Sequence, residues 1–238
     1  MGAMSWLGRF LASPPALSAG QAARLAAWQH LPAVDLHTPI AASRYVVVDV
    51  ESSGLNIHKD RLIAIGAVAV VNGRVAIGDS IEIILQQDRV STKDNILIHG
   101  IGGTAQQSGV PAAAGLLDFL EYLGKDPLVA FHAAFDEAMI KRALRQFLGL
   151  RFNHVWTDLA YVGPALYPSL AARNRSLDQW MAHFDISNYA RHSALADALA
   201  TAELMLALGA RMKEKSVNNM RDLRSVEKMQ RRMQNLAH

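Results

Sequence analysis

The sequence predicts an α/β fold, a mixed five-stranded sheet flanked by helices, with helical extensions at both ends. Three observations predict it. YVVVDV from Tyr45 is a short β-branched run suited to a strand buried on both faces. RLIAIGAVAVV and RVAIGDSIEIIL follow, joined by Asn72-Gly73, the dipeptide that best supplies the positive φ values of a tight hairpin. Helical and strand patterns then alternate, which places helices on a mixed sheet.

Residues 1–43 are Ala-rich and interrupted by Pro14, Pro15, Pro32 and Pro39, and read as an extension with a helix around Ala16 to His30. The main domain is expected over 44–210. After the hairpin comes a polar, glycine-bearing stretch, STKDNILIHGIGGTAQQSGVP, in which Pro111 is placed to start a helix through AAAGLLDFLEYLG. A strand at PLVAFH, a helix from about Ala134 to Leu148 and a strand near FNHVWT complete the sheet. Helices are expected around Asp158–Leu166, Ser176–Phe184 and Ser193 to about Lys215.

The 238 residues contain no cysteine, which excludes disulfides, thiolate metal sites and cysteine nucleophiles and is compatible with a reducing cytoplasm. Any metal must then bind oxygen or imidazole. The sequence lacks an apolar run long enough for a membrane helix, and MSWLGRFLASPPALSAG is broken by Arg9 and a proline pair, so neither a membrane span nor a secretory signal is expected. A net charge of +3 is too small to imply a nucleic-acid partner, but residues 211–238 hold eight Lys/Arg against three acids. Their apolar positions, Val217, Met220, Leu223, Val226, Met229, Met233 and Leu236, recur every three or four residues and predict a basic amphipathic helix. Its apolar side is expected to pack; its basic side is either merely solvated or gathers phosphates.

Asp49 and Glu51 stand two apart in the first strand and therefore share a face. Two acids leaving an apolar strand are costly unless hydrated, paired or metal-bound, and hard cations prefer oxygen ligands. Asp136 lies in the first turn after PLVAFH, where dipole compensation alone would explain it. In RHSALADALATAEL, His192 precedes Asp197 by five residues, with Asp197 inside an alanine-rich helix. Taken singly, Asp197 also reads as an exposed helical position and His192 as a surface imidazole. Asp158 reads as a helix cap rather than a further ligand, and Trp156 and Trp180 as packing residues rather than base platforms.

In combination, Asp-x-Glu on a first strand, Phe-Asp after a later strand and His-x4-Asp on a final helix resemble the DEDDh exonucleases, the DnaQ-like family. The resemblance covers roughly Tyr45 to Ala210 and includes IHGI at Ile98–Ile101 and RHSALADALATA at Arg191–Ala202. It implies a ribonuclease H-like fold and a 3'-to-5' exonuclease releasing nucleoside monophosphates. By the same resemblance, Asp49, Glu51, Asp136 and Asp197 hold two divalent cations, Mg²⁺ or Mn²⁺, and His192 is the general base. Ser52, Ser53 and Leu55 match the turn that meets the 3'-terminal nucleotide, and His99 the segment beside it. The implied partner is a DNA or RNA 3' end, with a second copy or a polymerase as further partners. A catalytically weak nucleic-acid-binding or polymerase-associated module of the same fold is the alternative reading. Two departures stand out: FHAAFD replaces the family's His-Asn-Ala-x-Phe-Asp, and Ser52-Ser53 replaces its Thr-Thr.

Overall fold

The computed structural model describes residues 16–188 and 190–236. The first fifteen residues of the expected N-terminal extension lie outside that range. Five strands form one sheet in the order β3-β2-β1-β4-β5. They are β1 (Arg44–Ser52), β2 (Leu62–Val71), β3 (Arg74–Ile84), β4 (Leu128–Ala130) and β5 (Trp156–Asp158). β1 pairs antiparallel with β2 and parallel with β4, and β5 is parallel to β4. The β2–β3 hairpin turns at Asn72 and Gly73, with φ of 51° and 71°.

β1 carries the two-sided core. Val46, Val48 and Val50 enter one apolar cluster, with α1 (Ala19–His30), α4 (Ala112–Leu123) and α5 (Ala133–Leu148). Tyr45 and Val47 enter the other, with α6 (Leu159–Leu166), α7 (Leu177–His183), α8 (Ala194–Glu214) and α9 (Met220–Leu236). Strand alternation therefore turns Asp49 and Glu51 toward the α8 side. Trp180 is fully buried and Trp156 nearly so, as packing residues. No helix among the described residues is long and apolar enough to cross a membrane.

The stretch read only as polar and glycine-bearing contains two short helices, α2 (Lys93–His99) and α3 (Gly103–Gln107). α2 stands on end signals rather than on a repeat. Thr92 Oγ1 accepts the Asn95 N–H at 3.3 Å, and Gly100 closes α2 in the left-handed region at φ 71°.

The C-terminal helix forms but is rolled differently from its apolar spacing. Met220 and Leu223 are buried, yet the next inward position is Glu227, while Met229, Met233 and Leu236 are exposed. The physical reason is an ionic contact. Arg231 Nη2 lies 2.9 Å from Glu227 Oε1 and 3.6 Å from Asp158 Oδ2, and its guanidinium stands 4.2 Å from the Tyr161 ring centre. Part of the basic face is thereby turned into the α6–β5 contact rather than toward water.

Candidate active site

β1 and β4 are parallel, so the segments after them emerge at one edge of the sheet. Asp49 and Glu51 end β1, and a bulge between Glu51 and Ser52 releases the chain there. After β4, His132 takes φ 64° and α5 begins at once, placing Asp136 in its first turn. Asp158 holds that junction: its Oδ1 accepts the His132 N–H at 2.9 Å and the Ala160 N–H at 3.0 Å. It caps α6, as read from the sequence, and ties β4 to β5 as well.

Asp197 reaches the cluster through a glycine. Gly66 faces Asp49 across the β1–β2 ladder, and a Cβ built on it would lie 2.1 Å from the Leu195 nitrogen. Only a residue without a side chain lets the first turn of α8 come so near the sheet. Asp49, Glu51 and Asp197 each then present a carboxylate oxygen within 4.8 Å of the others. Asp197 is buried and held by three donors: Asn188 Nδ2 to Oδ1 at 2.5 Å, the His192 N–H to Oδ2 at 3.1 Å, and the Arg191 guanidinium. Arg191 Nε also meets Asp178 at 2.6 Å.

The electrostatics suit a cation. Burial first, then the charges of Asp136, Asp197 and Glu51, holds the Asp49 carboxyl well above the usual range, with Arg191 opposing. Burial and Asp197 push Glu51 up to about 8, again opposed by Arg191. Asp136 is raised chiefly by burial and by Asp158, while backbone N–H groups, its own and that of Val50, act the other way. The donors are all carboxylate oxygens, so the set fits hard divalent ions.

His192 precedes α8 with φ 63° and is exposed on an open cleft of about 510 Å³. The opposite wall is the end of α2, where Leu97 and Ile98 are exposed. His99 also borders this cleft, but its ring is engaged within the protein. Nδ1 accepts the Ile101 N–H at 3.0 Å, Nε2 lies 3.3 Å from Ser91 Oγ, and burial lowers its pKa. The turn after Glu51 is braced internally. Ser52 Oγ donates to the Gly54 carbonyl at 2.7 Å, and Ser53 Oγ donates to Asp60 Oδ1 at 3.1 Å. Asp60 Oδ2 accepts the Asn56 N–H at 2.8 Å. Leu55 projects from this turn, 87% exposed.

Sequence reasoning brought forward the acids and His192 but assigned no role to Gly66, Asp60, Asn188 or Arg191. The glycine had a legible signal, a Gly inside a β-branched strand, which marks a close backbone approach. Asn188, Arg191 and Asp60 act through loop contacts whose partners follow no fixed spacing, and carried none.

Comparison with known proteins bears on the family and the fold. The exonuclease family RNase_T matches residues 46–205. A PolC-type DNA polymerase III of Bacillus subtilis (strain 168) is 31% identical over 171 residues, which are 71% of this chain and 12% of the polymerase. A DNA polymerase III subunit epsilon-like protein of Rhodobacter capsulatus is 31% identical over 175 residues, 72% of this chain and 24% of that one. The chain thus spans about an eighth of the length of its PolC-type relatives. Among solved structures, E. coli Exonuclease I in complex with a dT13 oligonucleotide aligns with TM-score 0.60 at 19% identity, covering 72% of this chain and 42% of that one. Exonuclease X in complex with 5' overhanging duplex DNA aligns with TM-score 0.58 at 18% identity, covering 77% and 99%. The chain belongs to the exonuclease family RNase_T, as a DnaQ-like 3'-to-5' exonuclease domain with the ribonuclease H-like fold.

Proposed function

We propose that this domain hydrolyses the terminal phosphodiester at a nucleic-acid 3' end, using two divalent cations, Mg²⁺ or Mn²⁺, held by Asp49, Glu51, Asp136 and Asp197. The observation that carries the reading is the meeting of Asp49, Glu51 and Asp197 oxygens within 4.8 Å, with Asp136 coupled to the group through its charge. Such cations supply the positive charge that activates water and stabilises the leaving oxygen. His192, exposed at the cleft beside Asp197, accepts the proton of the attacking water. Water adds to the terminal phosphorus, the bond to the 3' oxygen of the preceding nucleotide breaks, and a nucleoside monophosphate leaves. The rigid Ser52–Ser53 turn presents Leu55 to the terminal nucleotide, and the α2 end that His99 anchors borders it.

The likeness to PolC-type polymerases and to Exonuclease I bound to dT13 favours a DNA end, and the former favours a polymerase as partner in the cytoplasm. The complete acid set argues against a catalytically weak binding module. Incubating the protein with a 5'-labelled single strand in Mg²⁺, Mn²⁺ or EDTA tests the reading. Stepwise shortening from the 3' end that EDTA stops is expected. Strand binding without shortening in either metal would leave the weak module standing instead.

A further inference from the structure

On the other face of the sheet from Asp49 and Glu51, Arg61 and Arg142 line one cavity of about 330 Å³. Its apolar floor includes Leu62, Leu85 and Met139, and Gln86 and Gln146 reach its rim. Arg61 is the cross-strand neighbour of Ser53: the Ser53 N–H donates to the Arg61 carbonyl at 2.9 Å, and the Arg61 N–H to Ser53 Oγ at 2.9 Å. One Arg61 Nη donates to the Arg89 carbonyl at 2.7 Å, but Nε is buried with no hydrogen-bond partner among the described residues. Arg142 lies six residues beyond Asp136 on α5, about 9 Å along the helix axis. Its Nη1 donates to the Ile57 carbonyl at 2.5 Å.

Among the described residues neither guanidinium has a carboxylate within ion-pair distance, whereas the half-buried Arg44, Arg191 and Arg231 each rest on acids. Asp60 is the acid whose charge acts on Arg142, yet its oxygens are taken by Ser53 and Asn56, and burial outweighs its support. Asp88 reaches the cavity rim but is exposed and pairs with neither arginine among the described residues. Two half-buried cations without counter-charge call for an anion with several acceptor oxygens. Guanidinium forks match phosphate in this way.

We propose that Arg61 and Arg142 form a phosphate-binding subsite in this cavity. It rests on the nuclease reading for its source of phosphate, a backbone phosphate of the strand whose 3' end lies at the acids; a free phosphate is the other source with the same chemistry.

The experiment is done in EDTA, where cleavage is off and binding alone is read. Binding of a single strand is followed by fluorescence anisotropy across a salt series for the wild type, Arg61→Gln, Arg142→Gln and Arg142→Lys, with melting of each in inorganic phosphate. Each glutamine variant should weaken strand binding by about tenfold, as removal of a charge-assisted hydrogen bond dictates. The salt slope should fall by about 0.7 for each phosphate no longer neutralised, while Arg142→Lys keeps most of it. If the source is free phosphate, inorganic phosphate raises the wild-type Tm, and the glutamine variants lose that rise with strand binding intact. A wild-type strand slope together with a wild-type phosphate response in folded glutamine variants overturns the subsite. Equal weakening in Arg142→Lys and Arg142→Gln, each with a lowered Tm, also overturns it, since Arg142 would then only clamp the Ile57 carbonyl. Should the glutamine variants not fold, phenylglyoxal modification of wild-type Arg61 and Arg142 decides. Protection by phosphate or by strand supports the subsite, and protection by neither overturns it. Absence of metal-dependent cleavage by the wild type would instead strike the nuclease reading, which these binding measurements do not use.

Discussion

Two groups of buried acids lie on either side of the β4–α5 junction, and they are built to opposite ends. Around Asp158, two carboxylates, Asp158 and Glu227, share the Arg231 guanidinium, and Asp158 also accepts two backbone N–H groups. Around Asp49, the carboxylates of Glu51 and Asp197 converge with Arg191 as the guanidinium beside them, Asp136 adds its charge from the first turn of α5, and Asp49, Glu51 and Asp136 are all raised, Glu51 to about 8. Asp158 and Glu227 are raised too, by burial first, but hydrogen bonds from backbone and Arg231 act against it. Burial alone therefore does not mark a functional acid. What separates the groups is whether the protein supplies enough positive charge and donors of its own. The first group is complete; the second leaves charge for a cation to supply.

The largest test of that contrast is removal of a carboxylate. Asp49→Ala or Asp197→Ala should cut turnover by about 10³-fold or more, the scale of losing metal-ion stabilisation, while the protein stays folded; in EDTA Asp49→Ala should melt no lower, and Asp197→Ala lower, because it leaves Asn188 and Arg191 without their acceptor. Steady-state kinetics with melting curves check it, and comparable turnover in folded Asp197→Ala protein would reject the assignment. Next in size, His192→Ala should lower kcat by roughly 10²- to 10⁴-fold, the range for loss of a general base. Mn²⁺ affinity by calorimetry should be kept, because no metal contact is assigned to the imidazole. An unchanged rate and pH profile would remove His192 from the chemistry.

The opposite signature is expected at the completed group. Arg231→Ala leaves Glu227 and Asp158 without their guanidinium and should cost about 1–2 kcal/mol, below the range for fully buried pairs because solvent reaches Arg231. That is a fall in Tm of about 2–8 °C at this chain length, with metal affinity unaltered. A weakened metal affinity with an unchanged Tm would show that the two groups are not separate.

The remaining effect is on pH. Glu51 has a folded pKa raised to about 8, well above its unfolded value, so between the two the folded state binds more protons. Its contribution is fully present at low pH and is lost as pH rises toward about 8. Metal-free protein should thus lose stability across that window, with Asp49 and Asp136 adding in the same direction. Mn²⁺ should flatten the slope, since a bound cation favours the charged acids. A slope equally steep with and without Mn²⁺ would break the contrast between the two groups.

Much of the sheet was legible because its signals are short-range. The β-branched run of β1 and the Asn72-Gly73 turn act within a few residues, and β1 to β3 appear where the sequence puts them. β5 is confined to Trp156–Asp158, a shorter strand than the FNHVWT region suggests. α2 and α3 were not legible as helices, because each has too few residues to show a period.

What the sequence determined by itself about the site was orientation within single elements. Period two puts Asp49 and Glu51 on one face of β1, and a helix begun just after β4 puts Asp136 in its first turn. Convergence was decided only in three dimensions. Gly66 admits the α8 backbone to the sheet opposite Asp49 and so brings Asp197 to Glu51. The roll of α9 was decided in the same way: its apolar spacing favours Met229 and Met233 inward, but Arg231 and Glu227 meet Asp158 instead. The physical reason is common to both. A residue's neighbours along the chain set which way it points, whereas the cost of an uncompensated buried charge or donor depends on groups far away in sequence, which only the packed structure brings into reach.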